Sequence, residues 1–343
     1  LKKIFSQYIA LDLGTTNTLI YMEGQDVVVN EPSVIAVNDS GKVEAVGEEA
    51  RAMLGRTPPD IRAIRPLNNG VISDYQTTEL MLKELFRMAF QGASVVRPRV
   101  LCCVPSGTTE VERRAIRDSV KNAGGRGVYI IEEPIAAAIG MRLPIEESIG
   151  SIVVDVGGGT TEVAVMSLGG VVVSESRKVG GDNMDAAIER FMRNNYNLLV
   201  GEQICEKIKI EIGSAIKPGK ESTDKEPTFE VRGRNMVSGI PATITLSAAE
   251  VRQALEETIS AIVGTVSATL EKTPPELASD LVDSGINLTG GGAQLRGLDE
   301  VISRETGLTV KLAEKPQATI IKGLGSILSN FRHYQKLFNL NPA

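Results

Sequence analysis

The chain has 343 residues, 42% of them hydrophobic, and a net charge of −6. That length can bury two cores of ordinary domain size, and the negative charge argues against a general nucleic-acid binder. A single histidine, His333, and three cysteines without CxxC spacing speak against a Ser-His-Asp triad, a Cys-His pair or a His-rich metal centre, so carboxylates, hydroxyls, backbone amides and a metal ion must carry any catalysis.

In chain order, LKKIFSQY sets Leu1, Ile4, Phe5 and Tyr8 at helical spacing beside Lys2 and Lys3. This reads either as a short amphipathic helix on a membrane surface or as a leader into the first strand. YIALDLGTTNTLIY (8–21) is a strand ending at Asp12, a turn holding Gly14, Thr15, Thr16 and Asn17, and a second strand, with VVV following at 27–29. Short strands, a helix at about 47–54 and a proline turn at Pro58 and Pro59 then predict a small inserted subdomain. A helix is expected over 76–91, a buried strand over 99–104 containing Cys102 and Cys103 as core residues, and a helix over 109–123. The next strand runs into EEPIAAAIG, where Glu132 and Glu133 either cap a helix or serve a site, and Ala136, Ala137, Ala138 and Gly140 permit close packing at a hinge between two copies.

SIVVDVGGGTTEVAVMSLGGVVVSES (151–176) repeats the first hairpin. Asp155 ends its first strand, and Gly157, Gly158 and Gly159 let backbone N–H groups approach a phosphate while the carboxylate holds a hydrated Mg²⁺. A single glycine hairpin can be only a turn. Two of them, each with an aspartate ending the leading strand, point to a duplicated domain with one nucleotide between the copies. Further on, the helical stretch 204–216 carries Glu206 and Lys209 one turn apart, as an exposed ion pair would. A polar loop at 217–227, two strands and a long helix over 247–271 lead to INLTGGGAQLRGL, where Gly290, Gly291 and Gly292 open a second strand-to-helix turn. The spacing of Leu324, Ile327, Leu328, Phe331, Tyr334, Leu337 and Phe338 predicts one helix over 324–338 that packs on the core. No run approaches 18 apolar residues and no cleavable signal is visible, so a cytoplasmic location is expected.

DLGTTNT, IEEPIAAAIG, DVGGGTTE and LTGGGAQLRG, in that order, resemble the two phosphate motifs, the connecting motif and the adenosine motif of the actin, hexokinase and DnaK-type ATPase superfamily. NEPSVIAV, AIRPLNNGVISDY, VERRAI, EIGSA and TPPELASD extend the resemblance to bacterial MreB actin homologues over nearly the whole chain. Thr16 departs from the alanine common in that family. The resemblance implies an α/β actin-like fold of two duplicated ribonuclease H-like domains with mixed sheets: 1–147 with 325–343, carrying an insertion at about 33–72, and 148–324, carrying one at about 185–244.

It further implies that Asp12 and Asp155 hold Mg²⁺ through water. Gly14, Thr15, Thr16, Asn17, Gly157, Gly158, Gly159 and Thr160 would surround the phosphates of ATP or ADP. Glu133, assisted by Thr160 and Asp155, would act on the attacking water, while Glu206, Lys209 and Gly290 to Gly292 would contact the nucleoside. The family's activity is slow ATP hydrolysis in filaments of head-to-tail protofilaments paired antiparallel. These lie on the inner face of the cell membrane and organise lateral wall synthesis with RodZ, MreC and MreD-type proteins. Membrane contact would fall on Leu1, Ile4, Phe5, Val95 and Val96. A small-molecule kinase or a chaperone-type ATPase of the superfamily is the alternative.

Overall fold

The computed structural model describes residues 8–91, 97–217 and 226–337. The expected membrane contacts Leu1, Ile4, Phe5, Val95 and Val96, most of the polar loop, and Phe338 lie outside the described residues.

Two sheets of the same topology organise the molecule. The first begins with β1 (Tyr8–Leu13), β2 (Asn17–Met22) and β3 (Asp26–Pro32), antiparallel neighbours joined by tight turns. The chain then builds a small three-stranded sheet from β4 (Ile35–Asn38), β5 (Val43–Val46) and β6 (Ile61–Ile64), carrying helix α1 (Glu48–Met53), and a two-stranded ribbon from β7 (Leu67–Asn68) and β8 (Val71–Ile72). Helix α2 (Tyr75–Ala89), capped by the Asp74 side chain, precedes β9 (Arg99–Val104). Helix α3 (Glu110–Asn122) starts at a reciprocal Thr109–Glu112 capping box, and β10 (Gly127–Glu132) leads directly into α4 (Glu133–Gly140). Strand order is β10-β9-β1-β2-β3, with β1, β9 and β10 parallel.

The second half repeats this plan. After β11 (Ser151–Val156), β12 (Thr161–Ser167) and β13 (Gly170–Arg177) come α5 (Gly181–Tyr196), β14 (Leu198–Leu199), α6 (Glu202–Ile212), and the long hairpin of β15 (Thr228–Asn235) and β16 (Pro241–Ser247). Then follow α7 (Ala248–Lys272), α8 (Pro275–Ser284), β17 (Ile286–Thr289), α9 (Leu298–Thr306), β18 (Val310–Leu312), α10 (Thr319–Ser329) and α11 (Phe331–Leu337). The sheet order β13-β12-β11-β17-β18 matches the first sheet strand for strand, so the duplication read from two motifs holds for the whole layer.

Strand periodicity decides which side chains face the other sheet. Ile9, Leu11 and Leu13 enter the core of the first half with Leu82, Leu85 and Phe86 of α2, whereas Ala10 points toward the second half. Ile152, Val154 and Val156 likewise enter the core shared with α5, α6 and α7, and Val153 points back. Between the sheets lie α4 and α10, whose Ala136, Ala137, Ala138, Ile321, Leu324 and Ile327 complete the shared layer. These helices touch backbone to backbone: a Cβ on Gly140 would overlap the Thr319 carbonyl, and one on Gly323 the Ala136 carbonyl.

Two expected helices are redrawn. The segment 324–338 is not one helix: α10 ends at Asn330, whose N–H bonds to the Ser326 and Ile327 carbonyls at φ −128°, and α11 restarts at Phe331. Leu324, Ile327 and Leu328 are buried as expected, while Phe331 packs tilted against Tyr8 and edge-on against Tyr129, at 5.0 and 4.9 Å between ring centres. The stretch 204–216 begins earlier, at Glu202, and ends before Gly213, where any Cβ would collide with the Lys209 carbonyl.

Candidate functional site

The two antiparallel hairpins form the floor of one cleft of about 430 Å³. Each turn closes with the same bond: Gly14 N–H donates to Asn17 O at 3.1 Å, and Gly157 N–H to Thr160 O at 2.8 Å. Around the cleft stand Asp12, Gly14, Thr15, Thr16 and Asn17 from the first copy, and Asp155, Gly157, Gly158, Gly159 and Thr160 from the second. Glu133, Glu206, Lys209, Gly290, Gly291 and Gly292 complete the lining, so every nucleotide, metal and catalytic candidate named from the sequence meets here.

The glycines are spaced for contact rather than for freedom alone. A Cβ on Gly158 would overlap the Thr16 hydroxyl, and one on Gly159 would lie 2.8 Å from Asn69 Cα. Gly290, at φ +92°, rests against Asp155 Oδ1 and the Val156 carbonyl, so the third glycine turn closes over the end of β11. The Thr15 hydroxyl accepts the Gly70 N–H at 2.9 Å, tying the first turn to the β7–β8 ribbon. Behind the second turn, Gly181 and Asp182 N–H groups at the start of α5 donate to the Gly157 and Gly158 carbonyls at 3.0 and 2.8 Å.

Three buried carboxylates and one half-buried one, Glu133, converge beneath these turns. Asp12 bonds to the Cys103 thiol at 3.5 Å and is pushed up to about 6, chiefly by burial. Asp155, pushed up to about 7 by burial and then by Asp12, has an Oδ1 with no hydrogen-bond partner. Glu133, in the first turn of α4, is held well above the usual carboxylate range by burial and by Glu162, Asp12 and Asp155. Glu162 is 1% exposed and pushed up to about 8 by burial, although the Ser106 N–H, 3.1 Å from each of its oxygens, favours its charged form. Such a concentration of buried acids favours a bound cation. Among the described residues no group of three or more histidine, cysteine, aspartate or glutamate side chains is arranged to chelate a metal.

The expected Glu206–Lys209 pair is replaced by contacts to other elements. Lys209 Nζ donates to Asp185 Oδ2 at 2.8 Å and to the Gly181 carbonyl at 3.0 Å. Glu206 is paired with Arg51 of α1, from the opposite side of the cleft. Arg65 reaches Glu202 at 2.7 Å, and Gln203 donates to the Arg51 carbonyl, so α6 is clasped to the insertion of the first half. Arg51, Arg65, Glu162, Asp182 and Asp185 were not named from the sequence. The signal available for two of them was polarity at a buried position: Glu162 interrupts the buried strand β12, and Asp185 sits on the α5 face that buries Met184, Ile188 and Met192.

The family model for the MreB/Mbl protein matches residues 6–336. The chain belongs to the MreB/Mbl family. It is 51% identical to the cell shape-determining protein MreB of Escherichia coli (strain K12), over 95% of this chain and 94% of that protein. To the cell shape-determining protein Mbl of Bacillus subtilis (strain 168) it is 44% identical, over 95% and 97% of the two chains. The crystal structure of MreB 5 of Spiroplasma citri bound to AMPPNP superimposes with a TM-score of 0.89 at 38% identity, covering 96% of this chain and 98% of that one. A MamK double helical filament matches with a TM-score of 0.78 at 19% identity, which speaks to the fold alone. The fold of this MreB/Mbl family member is therefore actin-like.

Proposed function

We propose that this chain binds Mg·ATP between its two halves, hydrolyses it slowly and polymerises into filaments that determine cell shape. The observation that carries the reading is the meeting of both hairpin turns, one from each sheet, around Asp12 and Asp155 in a single cleft. The names of the Escherichia coli and Bacillus subtilis relatives support the cellular role, and the nucleotide-bound Spiroplasma citri protein supports the ligand.

Mg²⁺ suits the cleft because Asp155 Oδ1 lacks a partner and the Asp12 carboxylate meets only a thiol. Asp12 and Asp155 would hold it through water, and a cation there would supply charge neutralisation for phosphoryl transfer. The glycine amides, with Thr15, Thr16, Asn17 and Thr160, fix the phosphates. Glu133 orients the attacking water, with Thr160 assisting. Glu206, Lys209 and Gly290 to Gly292 hold the nucleoside.

The two halves, divided near residues 147 and 148 with the chain returning to the first at about 325, are the bodies that close on the ligand. Head-to-tail protofilaments paired antiparallel, attachment to the inner membrane surface through Leu1, Ile4, Phe5, Val95 and Val96, and association with RodZ, MreC and MreD-type proteins belong to the same reading. Family membership supports it over a small-molecule kinase or a chaperone-type ATPase. Sedimentation tests it: the protein should pellet after Mg·ATP is added and release phosphate slowly. Protein that stays in the supernatant at every concentration up to tens of micromolar would overturn the filament reading.

A further inference from the structure

The groups that must meet in hydrolysis sit on different halves. Glu133 directly follows Glu132, the last residue of β10, whereas the turn from Gly157 to Thr160 leads into β12 of the second sheet. Whatever holds one half against the other at this place also sets the gap in which the attacking water lies.

Glu162, the second residue of β12, is 1% exposed and stands behind the cleft wall rather than in it. The Ser106 N–H is shared between its two oxygens at 3.1 Å each, and the Ser176 hydroxyl of β13 donates to Oε1 at 3.1 Å. Ser106 belongs to the opposite half, just past β9, whose last residue Val104 is the register partner of Glu132. Its own hydroxyl is directed at Glu132 Oε2, 3.5 Å away, and Arg113 holds the other oxygen of that acid at 3.1 Å. Arg113 also donates to the Thr108 carbonyl at 3.2 Å, so the loop bearing Ser106 is braced against the strand end that carries Glu133. Among the charges around Glu133, that of Glu162 acts on it most strongly, which fits their closeness. The residue at the same register of the first hairpin is Leu19, so the hairpin itself forms without an acid here.

We propose that Glu162 is a positioning residue for hydrolysis: by gripping Ser106 it holds the strand end that carries Glu133 at a set distance from the second phosphate turn. The inference rests on the hydrolysis reading above. Glu162 acts through Glu133 and does not touch the nucleotide, so its loss changes rate rather than affinity. Misplacing reacting groups by about 1 Å can cost about 10²-fold in rate, and a buried, fully bonded carboxylate resists such a shift.

The test is single-turnover phosphate release from filaments of the full chain at matched polymer mass, with Mg·ATP affinity measured beside it. Glu162→Asp, which keeps the charge but shortens the reach to Ser106, should slow release about ten- to a hundredfold while affinity stays within about threefold. Glu162→Leu, which installs the residue of the first copy, should do the same, and whichever of the two folds carries the comparison. Glu162→Gln keeps the length and one acceptor oxygen, and should lose less than about fivefold. Adding Glu162→Asp to Glu133→Ala should slow release no further than Glu133→Ala alone, because both act on one step. Full-rate release by the Asp or Leu variant, an equal loss in Glu162→Gln, a loss of affinity as large as the loss of rate, or additive losses in the double variant would each overturn the assignment. No phosphate release from unaltered protein that binds Mg·ATP defeats the hydrolysis reading and this assignment with it, and differs from the other outcomes because every variant is then equally inactive.

Discussion

Asp155 faces Glu162 across β11 and β12, whereas at the same register of the first hairpin Asp12 faces Leu19. The duplicated halves thus differ at one buried position beside Asp12 and Asp155: a leucine that joins the inter-sheet core in one, and in the other a carboxylate that grips the Ser106 N–H of the opposite half. A buried acid in a place where the repeat tolerates a leucine costs stability wherever it is ionised. Above about pH 8, where Glu162 is charged in the folded protein, Glu162→Gln should raise thermal stability in the absence of ligand while keeping nucleotide binding within about threefold, because it removes repulsion from Glu133 without emptying the site. A melting temperature that falls on this substitution would show that the charge is itself stabilising.

Glu133→Ala should leave Mg·ATP affinity largely unchanged while slowing hydrolysis by about 10²–10⁴-fold, the usual loss when a group acting on the reacting water is removed. Phosphate release from sedimented filaments of the variant is the measurement. Release at the unaltered rate would remove Glu133 from the reaction.

Stability should depend on pH with a sign set by the same acids. Asp12, Asp155 and Glu162 are raised to about 6, 7 and 8 from ordinary values of 3.8, 3.8 and 4.5, so the folded, metal-free protein binds more protons than the unfolded chain between those limits. Their contribution is fully present below about pH 4 and is lost as pH rises through about 6 to 8. In chelator, the melting temperature should therefore fall from about pH 6 to about pH 8, and saturating Mg·ATP should flatten the slope by favouring the charged forms. An equal slope with and without Mg·ATP would contradict the placement of the cation between Asp12 and Asp155.

The clasp on α6 should control how fast nucleotide leaves. Arg65–Glu202 is partly exposed, 21% and 52% at the two side chains, so its loss is worth about 0.2–1 kcal/mol. Arg65→Glu should accelerate release of a fluorescent nucleotide by about twofold to fivefold, and the exchanged pair Arg65→Glu with Glu202→Arg should restore it. Acceleration that the exchange fails to reverse would trace the effect to packing rather than to the ion pair.

Much of this site was legible because its chemistry is local. An aspartate ending a strand and glycines in the following turn are contiguous in sequence, so both hairpins, the EEP turn before α4 and the glycines after β17 could be named without knowing how the halves meet. The clasp could not: Arg51 and Glu206 are separated by 155 positions, and nothing in GEEARAML or EQICEKIK marks one for the other. For the same reason Glu206 and Lys209 read as partners of each other, since one helical turn is the only relation the sequence displays. The helix over 324–338 was drawn too long because apolar spacing continues through Asn330 while the backbone does not. The close crossing of α4 and α10 was half visible in the small residues 136–140, but Gly323, its counterpart, belongs to a helix whose contact is set only by the folded chain.

One nucleotide held jointly by both copies is tested most directly by binding stoichiometry. Equilibrium dialysis with radiolabelled ATP and Mg²⁺ should give one nucleotide per chain, and Asp12→Ala and Asp155→Ala, each disabling one copy, should each weaken that single site by at least about tenfold, as expected when a group that carries the cation is lost. Two nucleotides per chain, or one copy's variant binding as tightly as the unaltered protein, would contradict a shared site.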